Sequence, residues 1–338
     1  MKKIIIVKTS SLGDVVQSFP VISYLKSIFP NSSISWVITA QLSSIINSHP
    51  LIDNTIELSY QGLKSLRKEK FDYLFDLQGN TKSALVTLLA KASVKVGYGK
   101  RSVREWPNLL VTDVKIDISK KQNISNFYVS LVREFFKRST PYVTDSKVLL
   151  PISKKQKEEI HSLMKNGSPL NIMVCPHSKW KNKKLSFHTL SEFLSRLSEK
   201  YRPTFFLMSG SSQETLENKK LASQLKSPVK YLDKLPIEVW HNFMNEMDLV
   251  IAMDSSGLHL CATTSCPTYS IFGPTKASVF KPLGNKHGAF EGVCPFNTNF
   301  NKQCPKLRTC ETGGCIKNID PLALWLHFEC WIEQQHIF

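Results

Sequence analysis

Six short polar stretches in this sequence carry side chains able to do chemistry, and most follow an apolar run. The first is Lys8-Thr9-Ser10-Ser11-Leu12-Gly13-Asp14, where one carboxylate stands at the start of a helical pattern. A carboxylate there is favoured by the helix dipole, can cap the helix, and is presented at a sheet edge. Asp76-Leu77-Gln78-Gly79 is the second stretch. Gly97 to Glu105 is the third, and it sets Arg101 and Arg104 close together, as forked recognition of carboxylate or phosphate requires. The basic turn Pro176 to Lys184 can converge ammonium groups and backbone N–H donors on a diphosphate. Gly210-Ser211-Ser212-Gln213-Glu214 offers an acceptor-only carboxylate suited to hydroxyl groups. Finally, Asp254-Ser255-Ser256-Gly257-Leu258-His259 opens a helix directly behind a buried strand, so that free N–H groups meet an anion.

The elements that must position these stretches alternate between strand and helix. Residues 4–7 are apolar and β-branched, the pattern of a strand buried on both faces. Val15, Phe19, Ile22, Leu25 and Phe29 recur at helical spacing and predict one helix over 14–29. Strands are expected at 33–39, 52–58 and 71–77, with helices at 41–47, 64–70 and 81–91. The helix at 154–165 and the break Asn166-Gly167-Ser168-Pro169 mark the passage to a second unit. That unit repeats the scheme, with strands at 170–175, 204–208 and 249–253 and a helix at 186–200. The alternation predicts an α/β chain with doubly wound parallel sheets. A last helix, 321–334, carries Leu322, Trp325, Leu326, Phe328 and Trp331 on its apolar side.

Taken together and in order, these stretches resemble glycosyltransferase family 9, the ADP-heptose:lipopolysaccharide heptosyltransferases, over roughly residues 3–320. Lys8 to Asp14 with Phe19-Pro20 looks like the family's opening, Asp76 to Gly79 like its Asp-Leu-Gln-Gly turn, and Ser102-x-Arg104-Glu105 like a segment of heptosyltransferase I. Ser178 and Lys183 fall on the family's nucleotide-sugar loop, with Lys179 in place of a second threonine and Leu185-Ser186 in place of a tryptophan before proline. Asp254 and His259 keep the spacing of Asp-(Ser/Thr)-Gly-x-x-His, while the glycine has moved from position 256 to Gly257.

The resemblance implies the GT-B architecture: an acceptor-binding Rossmann-like domain over 1–155 and a nucleotide-sugar domain over 166–320, facing each other across a cleft. Residues 321–338 would pack back on the first domain. It implies an inverting, metal-independent transfer of heptose from ADP-heptose to the Kdo region of a lipid A acceptor, with Asp14 as general base. Glu214 would hold the ribose, and Ser178, Lys183, His259 and the backbone of Ser255, Ser256 and Gly257 the diphosphate. Asp254 would take the heptose hydroxyls. The acceptor would meet Ser10, Ser11, Gly13, Gln78, Arg101 and Arg104, and the basic segment Lys64, Arg67 and Lys68. A heptosyltransferase II-like enzyme, or a relative using another nucleotide sugar or acceptor, is the alternative within the family.

Composition agrees with an anionic partner. The 338 residues carry a net charge of +17, and residues 1–165 hold 25 Lys/Arg against 13 Asp/Glu. Nucleic acid, a phospholipid surface and a polyanionic glycolipid all fit such a bias. A non-catalytic nucleic-acid-binding protein is therefore a reading of a different class, although no base-reading motif is present. No stretch is long and apolar enough to span a membrane, and residues 4–7 are too short for a signal peptide. The expectation is a cytoplasmic monomer that works peripherally at the anionic cytoplasmic face of the inner membrane and needs no cofactor. Cys294, Cys304, Cys310 and Cys315 stand in a Pro-, Asn- and Gly-rich segment. Free thiols are expected there, with a four-thiolate structural zinc as the alternative.

Overall fold

The run Ile4-Ile5-Ile6-Val7 has no solvent exposure and forms most of strand β1 (Lys3–Val7) at the centre of a six-stranded sheet. This computed structural model describes residues 1–138, 147–165 and 168–338. The break expected at Asn166 and Gly167 lies outside the described residues. Beside β1 are β2 (Ser33–Ile38), β3 (Asn54–Glu57), β4 (Lys70–Asp76), β5 (Lys91–Tyr98) and β6 (Val114–Ile116), in the order β3-β2-β1-β4-β5-β6. A second sheet holds β7 (Asn171–Cys175), β8 (Thr204–Met208), β9 (Val229–Leu232), β10 (Leu249–Met253), β11 (Thr268–Phe272) and β12 (His287–Glu291), ordered β12-β11-β10-β7-β8-β9. Every pairing in both sheets is parallel.

The chain divides into two compact units, Met1–Pro151 and Ile152–Phe338. Each has the Rossmann strand order, in which the winding reverses beside the unit's first strand and opens a ligand crevice at the carboxyl ends. The reversal falls between β1 and β4 in the first unit and between β7 and β10 in the second. The α/β class with two Rossmann-like units, the GT-B fold class, is therefore as expected.

Several elements differ from expectation. The helix expected over 14–29 is two helices, Leu12–Gln17 and Pro20–Ile28. Pro20 explains the break: it has no N–H to donate back into a helix, but its fixed φ suits the first position of a new one. Strands β5 and β6 and the helix Ile124–Phe136 extend the first unit beyond the elements read from sequence.

The last helix is Pro321–Gln335. Its Leu324, Trp325, Phe328, Trp331 and Ile332 belong to the core of the second unit. Phe328 packs edge-on against Phe193 with ring centroids 5.3 Å apart, and Trp331 lies 5.2 Å from Tyr269. Gly288 forms part of this seat, since a Cβ there would stand 2.6 Å from the Trp331 ring. The helix thus has an apolar seat within its own unit, while Leu322 and Leu326 stay exposed.

Three buried histidines make the fold acid-sensitive. Burial pushes His49 and His241 down to about 4 and His287 to about 3, the latter helped by Lys286 and Lys281. Each ring is neutral in the fold, and the His49 and His287 Nδ1 atoms meet Leu51 N–H at 3.2 Å and Thr268 Oγ1 at 2.8 Å. Once unfolded, each ring takes up a proton near its ordinary value of about 6.5. The stabilisation is therefore complete above about pH 6.5 and is lost progressively as pH falls towards the folded values, at about 1.4 kcal/mol per group per pH unit. Thermal melts at about pH 7 and about pH 5 should differ by roughly 2 kcal/mol of stability per histidine. The second unit, holding two of the three, should lose more. Melting curves that superimpose would show that these rings are not held neutral.

Candidate active site

In the first unit, the turn after β1 leads into the helix Leu12–Gln17, with Asp14 in its first turn. The Asp14 carboxylate accepts hydrogen bonds from Ser11 N–H at 3.3 Å and Ser11 Oγ at 2.8 Å, the reciprocal pattern of a capping box. Its other oxygen accepts the Tyr128 hydroxyl at 3.3 Å. Tyr128 comes from the helix Ile124–Phe136, and the Lys8 ammonium stands 4.8 Å from its ring centroid. Burial, with the Asp14 charge adding, pushes the Tyr128 phenol far above its usual value, so it stays a proton donor to Asp14. Ser10 is half-buried, Ser11 exposed and Gly13 buried on the same turn.

The turn after β4 stands beside this one. Gln78 Oε1 accepts Thr9 N–H at 3.2 Å, joining the two turns. Asp76 beneath it accepts the N–H groups of Gln78 and Gly79, both at 2.9 Å, Asn108 Nδ2 at 2.6 Å and Thr87 Oγ1 at 3.0 Å. Gly79 takes a φ of 64°, in the left-handed region where a side chain would be strained. Its carbonyl accepts the N–H groups of Arg104 and Glu105, which brings the third stretch to the same edge. Glu105 then caps the next helix through Thr81 N–H and Oγ1, leaving the exposed Arg104 beside it. Arg101 is paired through Nε with Asp117 at 3.3 Å.

Lys64, Arg67 and Lys68 are not brought to this edge. They end the crossover helix Tyr60–Leu66, which runs from the carboxyl end of β3 to the amino end of β4. Their neighbour Glu69 pairs with Lys3 at the start of β1, fixing the segment at the far edge of the sheet from Asp14. Sequence showed their charge but not which end of the helix they occupy.

In the second unit the carboxyl edge gathers a buried polar cluster. Asp254, 4% exposed, directly follows β10; its Oδ2 accepts Lys183 Nζ and Thr275 Oγ1, each at 2.6 Å, and its Oδ1 lies 3.5 Å from His259 Nε2. Burial works against ionisation of Asp254, but hydrogen bonds and charges from His259 and Lys183 outweigh it and hold the carboxyl far below its ordinary range. Lys183 sits on the short 3-10 helix Lys181–Lys183 in the turn that follows β7, and Ser178 is half-exposed in the same turn. Thr275, absent from the residues expected to form the site, was visible only as the end of Phe272-Gly273-Pro274-Thr275.

Ser255 is extended and Ser256 begins the helix Ser256–Cys261, so the shifted glycine leaves no strain at Ser256. Gly257 instead admits Trp240, whose ring atoms would lie 3.0 Å from a Cβ. Glu214 stands in the first turn after β8, and its Oε2 accepts Gly210 N–H at 2.7 Å.

All four clustered cysteines line one cavity of about 40 Å³, together with Asn182 and Gly313. Asn182, adjacent to Lys183, donates to the carbonyls of Leu307 and Cys310 at 2.9 and 2.7 Å and ties this loop to the Lys183 turn. Backbone N–H groups, of Thr298 and Phe296 at Cys294 and of Gly313 at Cys310, pull those two thiols down, whereas burial and the other three thiols push Cys315 up to about 11. Every described cysteine is free, and no group of three or more His, Cys, Asp or Glu among the described residues is arranged to hold a metal ion.

Two Rossmann-like units, one presenting a carboxylate and the other a Lys–Asp–His cluster at its strand ends, belong to the GT-B fold class. Residues 60–309 match the profile of Glycosyltransferase family 9 (heptosyltransferase), and the chain belongs to that family. Over 310 residues it is 27% identical to lipopolysaccharide heptosyltransferase 1 of Campylobacter coli, covering 84% of this chain and 88% of that protein. Among solved structures, the glycosyl transferase family 9 protein of Veillonella parvula superimposes with a TM-score of 0.81 at 16% identity, covering 98% of both chains. The E. coli heptosyltransferase WaaC with ADP gives 0.74 at 20% identity, covering 97% of this chain and 99% of that one. These two likenesses establish the fold.

Proposed function

We propose that this chain moves heptose from ADP-heptose to a Kdo-bearing lipid A acceptor in lipopolysaccharide core synthesis, in the manner of heptosyltransferase I. The observation that carries the reading is the buried Lys183–Asp254–His259–Thr275 cluster at the reversal point of the second sheet, in a chain of family 9. Lys183, Ser178, His259 and the N–H groups of Ser255 to Gly257 hold the diphosphate, Glu214 the ribose, and Asp254 the heptose hydroxyls. Asp14, from the other unit, takes the proton of the acceptor hydroxyl as its oxygen bonds to the anomeric carbon. The bond from that carbon to the diphosphate breaks, its electron pair leaves with ADP, and one displacement inverts the configuration. Preset donors around the diphosphate lower the barrier because leaving-group charge builds there. Ser10, Ser11, Gly13, Gln78 and Arg104 line the acceptor side, with Arg101 released from Asp117 to join them.

No metal takes part in this reading. The protein acts as a monomer, from the cytoplasmic side, against an anionic inner-membrane surface. No helix among the described residues is long and apolar enough to cross a membrane. The names of relatives such as that of C. coli and the Ser102-x-Arg104-Glu105 block support the first heptose transfer, while the cysteine-bearing loop favours a heptosyltransferase II-like acceptor as the second reading. Family membership favours this reading over the nucleic-acid-binding alternative.

The deciding experiment is ADP release from ADP-heptose with two acceptors, Kdo-lipid A and the same lipid already carrying one heptose. Turnover with the first alone is expected. Turnover with the second alone selects the second reading, and release with neither overturns the donor or the acceptor assignment.

A further inference from the structure

The helix Thr81–Leu89 buries Ser83, Ala84, Val86 and Thr87 and turns Leu85 and Leu88 outward, 52% and 60% exposed. The 3-10 helix Trp106–Leu110 runs alongside, with Trp106 68% and Leu110 74% exposed. Two contacts fix this pairing: Thr81 bonds Glu105 just before Trp106, and Asn108 Nδ2 meets Ser83 Oγ at 3.3 Å. Lys95 on β5 reaches the Leu88 carbonyl at 3.3 Å and holds the end of the helix. Single exposed leucines are ordinary, but two adjoining segments that both turn large apolar side chains outward make a ridge.

Charge surrounds this ridge unevenly. Lys82 and Lys91 are exposed at the two ends of the first helix, and residues 60–121 carry thirteen Lys/Arg against six Asp/Glu. Tryptophan and leucine projecting from a basic surface are the side-chain set that enters the interfacial layer of an anionic bilayer. The ridge also begins at the edge that holds Asp14, because Arg104 and Glu105, just before Trp106, bond the Gly79 carbonyl.

We propose that Leu85, Leu88, Trp106 and Leu110 seat the first unit on an anionic phospholipid surface. This inference rests on the heptose-transfer reading, because a lipid-anchored acceptor must be met at the membrane. Trp106 and the leucines enter the headgroup layer, and the flanking lysines meet lipid phosphates. Asp14 then lies at one end of the seated face.

The test is co-sedimentation with vesicles of phosphatidylcholine alone and of phosphatidylcholine with phosphatidylglycerol, alongside transfer to a deacylated, water-soluble Kdo acceptor. Wild type should bind the anionic vesicles selectively and release them at high salt. Leu88→Ser/Leu110→Ser, and separately Trp106→Ser, should bind roughly tenfold more weakly or worse, the scale expected when exposed apolar side chains no longer leave water. Both variants should keep wild-type transfer to the soluble acceptor. Equal binding by wild type and variants, or no preference for anionic vesicles, would overturn the proposal. So would self-association of the wild type that the variants abolish, since the ridge would then be an interface between copies. If the ridge binds vesicles but no heptose moves to the soluble acceptor, the surface stands and the transfer reading fails.

Discussion

Replacing Asp14 with asparagine is expected to lower heptose transfer by about two to four orders of magnitude, the usual contribution of a positioned general base. Asparagine is the informative choice because Asp14 also caps its helix through Ser11. The amide oxygen can still accept the Ser11 N–H, so the helix start survives while the proton acceptor does not. Asp14→Ala removes both functions and should add about 1 kcal/mol of destabilisation, measured by melting. Binding of ADP to the second unit should be unchanged in both. If Asp14→Asn transfers heptose at the wild-type rate, the carboxylate is a helix cap and nothing more, and the mechanism proposed above fails. Tyr128, buried and protonated, would keep one Asp14 oxygen oriented in either case.

The second large effect belongs to Lys183. Lys183→Met should cost about 10²–10³ in kcat, as loss of a preset donor to developing charge does, and should weaken ADP binding in calorimetry. It should also destabilise the second unit by about 3–5 kcal/mol, because the Asp254 carboxylate is left buried with its main counter-charge gone. The double variant Lys183→Met/Asp254→Asn separates the two effects. Stability should largely return, since no buried charge is left uncompensated, while transfer stays lost. Transfer that persists in Lys183→Met would make this lysine a structural partner of Asp254 and place the diphosphate elsewhere.

The strands that carry the site were legible because they are short apolar runs covered on both faces: 204–208 and 249–253 coincide with β8 and β10. β5 was not. Lys91 and Lys95 interrupt its apolar pattern, and its first residues continue a helical one. Asp254 and His259 could be paired from sequence because they stand only five positions apart across a helix start. Tyr128 and Asp14 are 114 positions apart, and nothing in local pattern links them. Thr275 was hidden for a similar reason, since only the parallel pairing of β10 and β11 brings it to Asp254. The charge of Lys64, Arg67 and Lys68 was legible, but not their place in the sheet, because composition does not record the direction in which a crossover helix runs.

The same strand order occurs twice in this chain, each time with its reactive turns at the strand ends beside the reversal. Under the proposed roles, the residues that choose the sugar nucleotide and those that choose the acceptor lie on separate sheets with separate cores. Substitutions in the turns after β7, β8 and β10 can then retune the donor without disturbing the packing under Asp14, and the reverse holds for the turns after β1, β4 and β5. The two preferences are separately heritable, so a new enzyme of this kind can arise by altering one half while selection keeps the other intact.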